Sequence, residues 1–145
     1  MKILFDQRGY SLTFWTGFFG IILIPIMALS IELGRYFYAR AEVAKAADAA
    51  ALAAAAEISQ RVFEETGDLQ PTSKTWANAQ NFASMNNGYL SRYGVNALVT
   101  AILVNPEDDT VLVQVTANLD RLFPSVVPYV MVIESGYAEI RSFTH

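Results

Sequence analysis

The segment YSLTFWTGFFGIILIPIMALSI, residues 10–31, contains 22 residues, and none of them is Asp, Glu, Lys, Arg or His. As a helix rising about 1.5 Å per residue it would be about 33 Å long, enough to cross a hydrocarbon layer of about 30 Å. The run exceeds the roughly 7–15 apolar residues of a cleaved secretory signal, and a charged helical pattern rather than a cleavage site follows it. We therefore predict one membrane-spanning helix that stays attached to the chain.

The same helix is predicted to continue well beyond the membrane. RYFYARAEVAKAADAAALAAAAEISQR, residues 35–61, contains neither Pro nor Gly, and 12 of the 18 residues from 39 to 56 are Ala. Alanine is the strongest helix former, and its small side chain lets a neighbouring element come close. We expect the helix to end before Gly67, with one stripe packed against the rest of the chain. That stripe, at helical spacing, is Val43, Ala47, Ala50, Ala54 and Ile58.

The remainder of the chain predicts a small mixed domain. A short amphipathic helix is expected within residues 72–88, with Trp76, Ala79 and Phe82 or Ala83 on one face. Two β-branched runs, 95–105 and 110–120, flank the turn PEDD and predict an antiparallel hairpin. Residues 119–127 could form one helical turn, and 129–143 a third strand, long or bulged around Gly136.

The predicted fold class is therefore α+β: a long transmembrane and stalk helix packed on an antiparallel sheet of about three strands, with one further helix. The chain divides into a flank at 1–9, a membrane helix at 10–31, its alanine-rich continuation at 32–66 and a head at 67–145. One small core is all that this length supports.

Composition argues against several classes of function. The net charge is −4 and there is no long basic run, which disfavours nucleic-acid binding. There is no Cys, and the only His is His145, so thiol chemistry and a histidine catalyst or metal site are not expected. The acidic groups at 64–65 and 107–109 are interpreted as solvated surface rather than general acids or calcium ligands. We predict neither enzymatic activity nor a cofactor.

Small residues in the span suggest how such a helix could contact other helices. Thr13 and Gly17, like Thr16 and Gly20, are four residues apart, an arrangement that permits close backbone approach in lipid. Thr and Gly are also common in membrane helices without such a role. Together with positions in the alanine-rich segment they form the predicted helix-packing set: Thr13, Thr16, Gly17, Gly20, Ala47, Ala50, Ala51 and Ala54.

Residues 8–57 resemble the TadE/TadG-like family of tight-adherence (Flp) pilus assembly proteins. The resemblance rests on the Arg-Gly pair at 8–9, the apolar span, the Gly-Arg-Tyr exit at 34–36, and the block ADAAALAAA at 47–55. It implies a structural, single-pass protein of the cytoplasmic membrane, with its N-terminus inside, its head outside, and other pilin-like or pilus-machine subunits as partners. Charge counting alone leaves the orientation open, because Lys2 and Arg8 are balanced by basic residues beyond the span.

Three questions stay open at this stage. Some members of the family are cut like prepilins after a Gly that is followed five residues later by Glu. Here Gly9 and Tyr10 match the cut, but Phe14 stands in place of Glu, which is consistent with an uncut anchor. The chain could be a minor pilin or assembly subunit, or could itself polymerise into a filament. It could also be a tethered binding module, which an exposed cluster of Tyr89, Tyr93, Tyr129 and Tyr137 would favour.

Overall fold

The structure, a computed structural model, describes residues 7–58, 60–88, 90–93, 95–124 and 130–140. Side chains are described within those ranges except at 7–10, 60–61 and 92–93. The architecture is α+β, which confirms the predicted class. Its elements are α1 (Gln7–Ala56), α2 (Gln60–Thr66), α3 (Thr75–Met85), a 3₁₀ turn (Leu90–Tyr93), β1 (Ala97–Asn105), β2 (Thr110–Asn118) and β3 (Met131–Glu139).

Helix α1 contains the span and most of the stalk. Its 50 residues extend about 75 Å at the usual rise, and the helix continues through Pro25. Within the described part of the chain, one helix is long and apolar enough to cross a membrane, and it is this one. The large apolar side chains of its first half are mostly exposed, whereas its second half forms one wall of the core.

The predicted continuation of one helix to residue 66 is wrong, because α1 ends at Ala56. The Glu57 and Ile58 N–H groups donate to carbonyls only three residues back, which tightens the last turn. The Glu57 carbonyl accepts the Thr72 N–H at 3.2 Å, and Ile58 forms an isolated bridge with Pro71. Contacts with a segment about 15 residues away therefore replace the next helical hydrogen bonds. Gly67, at φ +75°, ends α2.

The three strands form an antiparallel sheet in the order β1-β2-β3. The predicted hairpin is confirmed, with Asn105 opposite Thr110 at its tip. The bulge considered at Gly136 is absent: the β2–β3 register is continuous, and the irregularity lies in β1 between Val99 and Ala101.

Gly136 is required by the packing of α1 on the sheet. A Cβ placed on Gly136 would overlap the carbonyl group of Ala47 and the backbone nitrogen of Asp48. The helix backbone therefore lies directly on β3 at this point. This close approach is possible because Gly136 has no side chain and Ala47 has a small one.

The core lies between α1, α3 and one face of the sheet. On α3 the buried side chains are Thr75, Ala79 and Ala83, whereas Trp76 and Phe82 are 50% and 45% exposed. Of the face predicted for this helix, Ala79 and the alternative Ala83 are therefore buried, whereas Trp76 and Phe82 are not, because short side chains let α3 approach α1 closely. The centre of the core consists of fully buried valines, namely Val43, Val95, Val111, Val113, Val115 and Val132.

Between β2 and β3 the described residues 119–124, named here the junction loop, contain no helix. The helical turn predicted for 119–127 is thus wrong over these six residues, while 125–129 lie outside the described part. Instead of bonding to one another, backbone groups of the junction loop bond to side chains of α1.

Candidate functional site at the junction of span and head

The predicted packing residues of the span lie on an uncovered helix. Side chains along it are largely exposed, as at Ile21, which is 77% exposed. A Cβ on Gly17 or Gly20 would meet nothing within 4 Å. Thr16 donates its hydroxyl to the Leu12 carbonyl at 2.9 Å, within its own helix. The structure thus leaves this surface available to lipid or to other helices.

The four predicted packing alanines have a different environment. Ala47, Ala50, Ala51 and Ala54 are each 0% exposed, and all belong to the core of the head. Within a single chain, their packing partner is therefore the head itself. The stalk surface that remains outside is the opposite face of α1, where Leu52 is 67% exposed.

A buried carboxylate joins the end of the span to the junction loop. Glu32 is only 5% exposed, and its Oε1 accepts the N–H of Leu122 at 2.6 Å and that of Phe123 at 2.9 Å. Its Oε2 is paired with Arg35 Nη1 at 3.1 Å, and Arg35 Nη2 donates to the Asp120 carbonyl at 3.0 Å. The ion pair and three hydrogen bonds form one connected polar network, named here the Glu32 clamp.

Hydrogen bonding to the charged form governs the acidity of Glu32. Burial raises the pKa of its carboxyl, but the N–H groups of Phe123 and Leu122 and the Arg35 guanidinium outweigh that effect and leave the pKa below its ordinary value. The carboxylate is therefore ionised at neutral pH. Charge-assisted hydrogen bonds of this kind are stronger than neutral ones, which suits a contact that holds the head against the helix.

A groove runs beside the Glu32 clamp. Its volume is about 510 Å³, and it extends along α1 from Ser30 to Ala39, with Leu119 and Leu122 also lining it. Most of its lining is apolar. A groove of this size could hold an apolar segment.

Two further contacts set the angle between the head and α1. Arg40 is paired with Glu134 of β3 at 2.5 Å. At the far end of the helix, Glu57 accepts the Asn78 side-chain amide at 2.5 Å and the Thr72 hydroxyl at 3.2 Å. The head is therefore held along the helix by polar contacts at three levels, with the alanine stripe between them.

The acidic hairpin tip is stabilised by its own side chains. Asn105 Nδ2 donates to Asp108 Oδ2 at 2.7 Å, and Asn105 Oδ1 accepts the Glu107 N–H at 3.2 Å. Among the described residues, no group of three or more His, Cys, Asp or Glu side chains could hold a metal ion. These contacts support the interpretation of this segment as a solvated turn.

Of the four tyrosines proposed as a binding cluster, Tyr137 is 66% exposed on the outer face of the sheet. Tyr89, Tyr129 and the side chain of Tyr93 lie outside the described residues, as does His145.

Sequence reasoning placed Arg35 in the Gly-Arg-Tyr exit of the span and missed the clamp that it forms with Glu32. One local signal was present, because the first ionisable residue after the charge-free run is an acid rather than the Lys or Arg that often flanks a span. The N–H groups of Leu122 and Phe123, which Glu32 accepts about 90 residues further along the chain, had no such signal.

Comparison with known families supports the resemblance noted from the sequence. Residues 9–57 match the Flp pilus-assembly TadE/G-like family, whose role is structural rather than enzymatic. Comparisons with curated proteins and with solved structures gave no match. Together, this match and the apolar N-terminal helix of the chain indicate single-pass membrane anchoring in a pilus system. The similarity of the chain to the Flp pilus-assembly TadE/G-like family therefore covers residues 9–57.

Proposed function

We propose that the chain is a membrane-anchored, pilin-like subunit of a Tad/Flp-type pilus, a minor pilin or assembly component that acts by helix packing. The observation that carries this proposal is the exposed span of α1, where a Cβ added to Gly17 or Gly20 would meet no other atom of the described residues within 4 Å. In lipid, small residues on an otherwise bulky helix permit close contact with another helix. The similarity of residues 9–57 to a pilus-assembly family supports a pilus subunit as the partner of this contact.

The stalk extends this packing surface beyond the membrane. The alanine stripe is occupied by the head, so partner helices would meet the opposite face, which includes Phe37, Ala41 and Leu52. Phe37 is 61% exposed and Leu52 is 67% exposed, which is unusual for large apolar side chains in a solvated helix. A second helix laid along this face and the span would cover both.

The proposed orientation has the N-terminus in the cytoplasm and the head outside. We propose further that the chain is not cut between Gly9 and Tyr10. Position 14 is Phe, so there is no carboxylate within the span to neutralise a new N-terminal amine. Mass spectrometry of the native N-terminus tests this: a chain starting at Tyr10 would refute it.

Crosslinking in native cells tests the assembly proposal, and the absence of Cys from the chain makes single-Cys variants clean. Each Cys carries a thiol-linked photo-crosslinker, which bonds to a neighbouring chain whether or not that chain contains Cys. Gly17→Cys reports on the span, Leu52→Cys on the stalk, and Tyr137→Cys on the outer sheet face. We expect adducts with pilin-like chains from the first two positions. No adduct at either position, with a normally inserted protein, would refute packing as the function.

The same experiment separates a filament subunit from an accessory subunit. Two differently tagged copies, each carrying Gly17→Cys, would crosslink to one another along an extended ladder if the chain polymerises. An accessory subunit would give discrete adducts with other chains instead. The span surface serves both modes, so stoichiometry rather than contact distinguishes them.

A second candidate function, a tethered extracytoplasmic binding module, is favoured by the outer face of the sheet. Leu103, Leu112 and Tyr137 lie opposite one another there, and Leu103 and Tyr137 are 60% and 66% exposed. Adjacent exposed apolar side chains often mark interaction surfaces. Adducts from Tyr137→Cys alone, with none from the span or stalk, would favour this function over assembly.

A further inference from the structure

We propose that the junction loop, residues 119–124, rests on the lipid surface, so that Leu122 and Phe123 enter the interfacial layer beside the span. This contact rests on the single-pass anchoring described above. It makes the head a peripheral membrane-binding element as well as the continuation of an anchor.

The Glu32 clamp sets the height of the loop. Glu32 is the residue immediately after the charge-free run, so its Cα is about 1.5 Å beyond that of the last span residue. Side chains of an α-helix tilt toward its N-terminus, which here points Glu32 back toward the bilayer. Because its Oε1 lies 2.6 Å from the Leu122 nitrogen and 2.9 Å from that of Phe123, the loop backbone lies at the level where the span ends.

Exposed apolar side chains lie at that level, next to the exposed Asp120 and Arg121 of the loop. Leu122 is 57% exposed and Phe123 is 37% exposed, and on α1 itself Leu33 is 47% exposed. Leucine and aromatic side chains of this kind gain free energy by entering the boundary between headgroups and acyl chains. The acidic and basic groups beside them, Glu32 and Arg35, are paired with each other, which lowers the cost of placing them there.

The extent of the surface favours lipid over a protein partner. A specific protein interface buries roughly 800 Å² on each partner, far more than two side chains of a short loop supply. The loop surface is also continuous with the exposed apolar span, which lipid already surrounds in an anchored chain. A bilayer therefore covers it without any further association.

The test measures depth in reconstituted vesicles of phosphatidylcholine and phosphatidylglycerol. The full chain carries Leu122→Cys labelled with a fluorophore, and the vesicles contain lipid with a nitroxide near the top of the acyl chain. Leu103→Cys is the matched control, since Leu103 on the outer sheet face is 60% exposed. Ile26→Cys, within the span, reports insertion independently of the loop.

We expect the label at position 122 to be quenched several-fold more strongly than the label at 103, and the label at 26 to be quenched as well. Equal quenching at 122 and 103, with strong quenching at 26, would overturn the lipid contact and leave the anchor standing. A label at 122 that is shielded from aqueous iodide yet not quenched by the lipid would also overturn it, because a protein surface would then cover the loop. No quenching at 26 would instead refute the anchoring on which both proposals rest.

The role of the clamp is tested by adding Glu32→Gln to the Leu122→Cys chain. The neutral side chain weakens the hydrogen bonds that hold the loop, so quenching at 122 should fall toward the level at 103. Trp76 fluorescence in a Trp15→Phe background, where the emission comes from the head alone, checks that the head stays folded. Unchanged quenching in a folded head would show that Glu32 does not set the height of the loop.

Discussion

Replacing Gly136 with Ala should separate the head from the stalk. The added methyl would occupy the position of the Ala47 carbonyl group and the Asp48 nitrogen. These atoms belong to the backbone of α1, so they cannot rotate aside as a flexible side chain would. Either the helix must move away from β3 or the strand must leave the sheet.

The magnitude follows from overpacking. Extra methylene groups forced into a packed core cost about 1–3 kcal/mol, and the rigid obstacle here favours the upper end. Such a shift would also loosen Val132 and Ala138, which flank the contact on β3 and are 1% and 8% exposed. For a domain of this size, about 3 kcal/mol corresponds to a fall in Tm on the order of 10–20 °C.

The assay is thermal unfolding of the full chain in detergent micelles, followed by near-UV circular dichroism and by Trp76 fluorescence in a Trp15→Phe background, because Trp15 in the span also emits. Far-UV signal from the span will persist, so it is not a measure of head unfolding. Gly88→Ala is the matched control, because a Cβ there meets nothing within 4 Å and Gly88 has no positive φ. A Tm for Gly136→Ala equal to that of Gly88→Ala would refute the close approach of helix and strand.

Three further substitutions test other contacts. Ala50→Leu adds bulk at a position that is 0% exposed and should cost about 1–3 kcal/mol of stability. Leu52, on the opposite face, is 67% exposed, so Leu52→Ala should change stability by less than about 0.5 kcal/mol. Urea unfolding of the two variants compares these free energies. Gln80→Ala removes the side chain that bonds two backbone groups of β1 at 2.8 and 3.2 Å and should cost about 1–3 kcal/mol, with Asn81→Ala, on the exposed side of α3, near neutral. Because the folded pKa of Glu32 is lowered, its stabilisation is complete above the unfolded pKa and disappears as pH falls through the folded value. The difference in stability between wild type and Glu32→Gln should therefore shrink below about pH 4, and a difference that stays constant with pH would contradict this.

Several features followed from local patterns alone. The charge-free run, the alanine-rich helix and the hairpin around residues 106–109 each have a period or a turn signal contained in a few neighbouring residues. The alanine stripe from Val43 to Ile58 was also readable, because helical spacing places its members on one face. These patterns sufficed for the α+β class.

Other features depend on residues that are distant in the chain. The stop of α1 at Ala56 results from competition between the next helical hydrogen bonds and those that Glu57 makes with residues 72–78. On α3, Ala79 and Ala83 are buried and Trp76 is not, because α1 and α3 approach each other closely. Propensity and hydrophobicity describe one segment at a time, so they contain no information about either outcome.

The charge-free segment at 10–31 and the alanines after it were enough to predict a membrane anchor that continues into a stalk. Length and composition alone decide whether a helix is more stable in lipid or in water. Where the head sits on this stalk came only from the folded chain. Gly136 must lie on Ala47, and Glu32 must accept N–H groups about 90 residues away, because a buried carboxylate needs donors and a crowded backbone needs room. Both requirements are satisfied by contacts between segments that are distant in the chain, and only the tertiary structure shows which segments make those contacts.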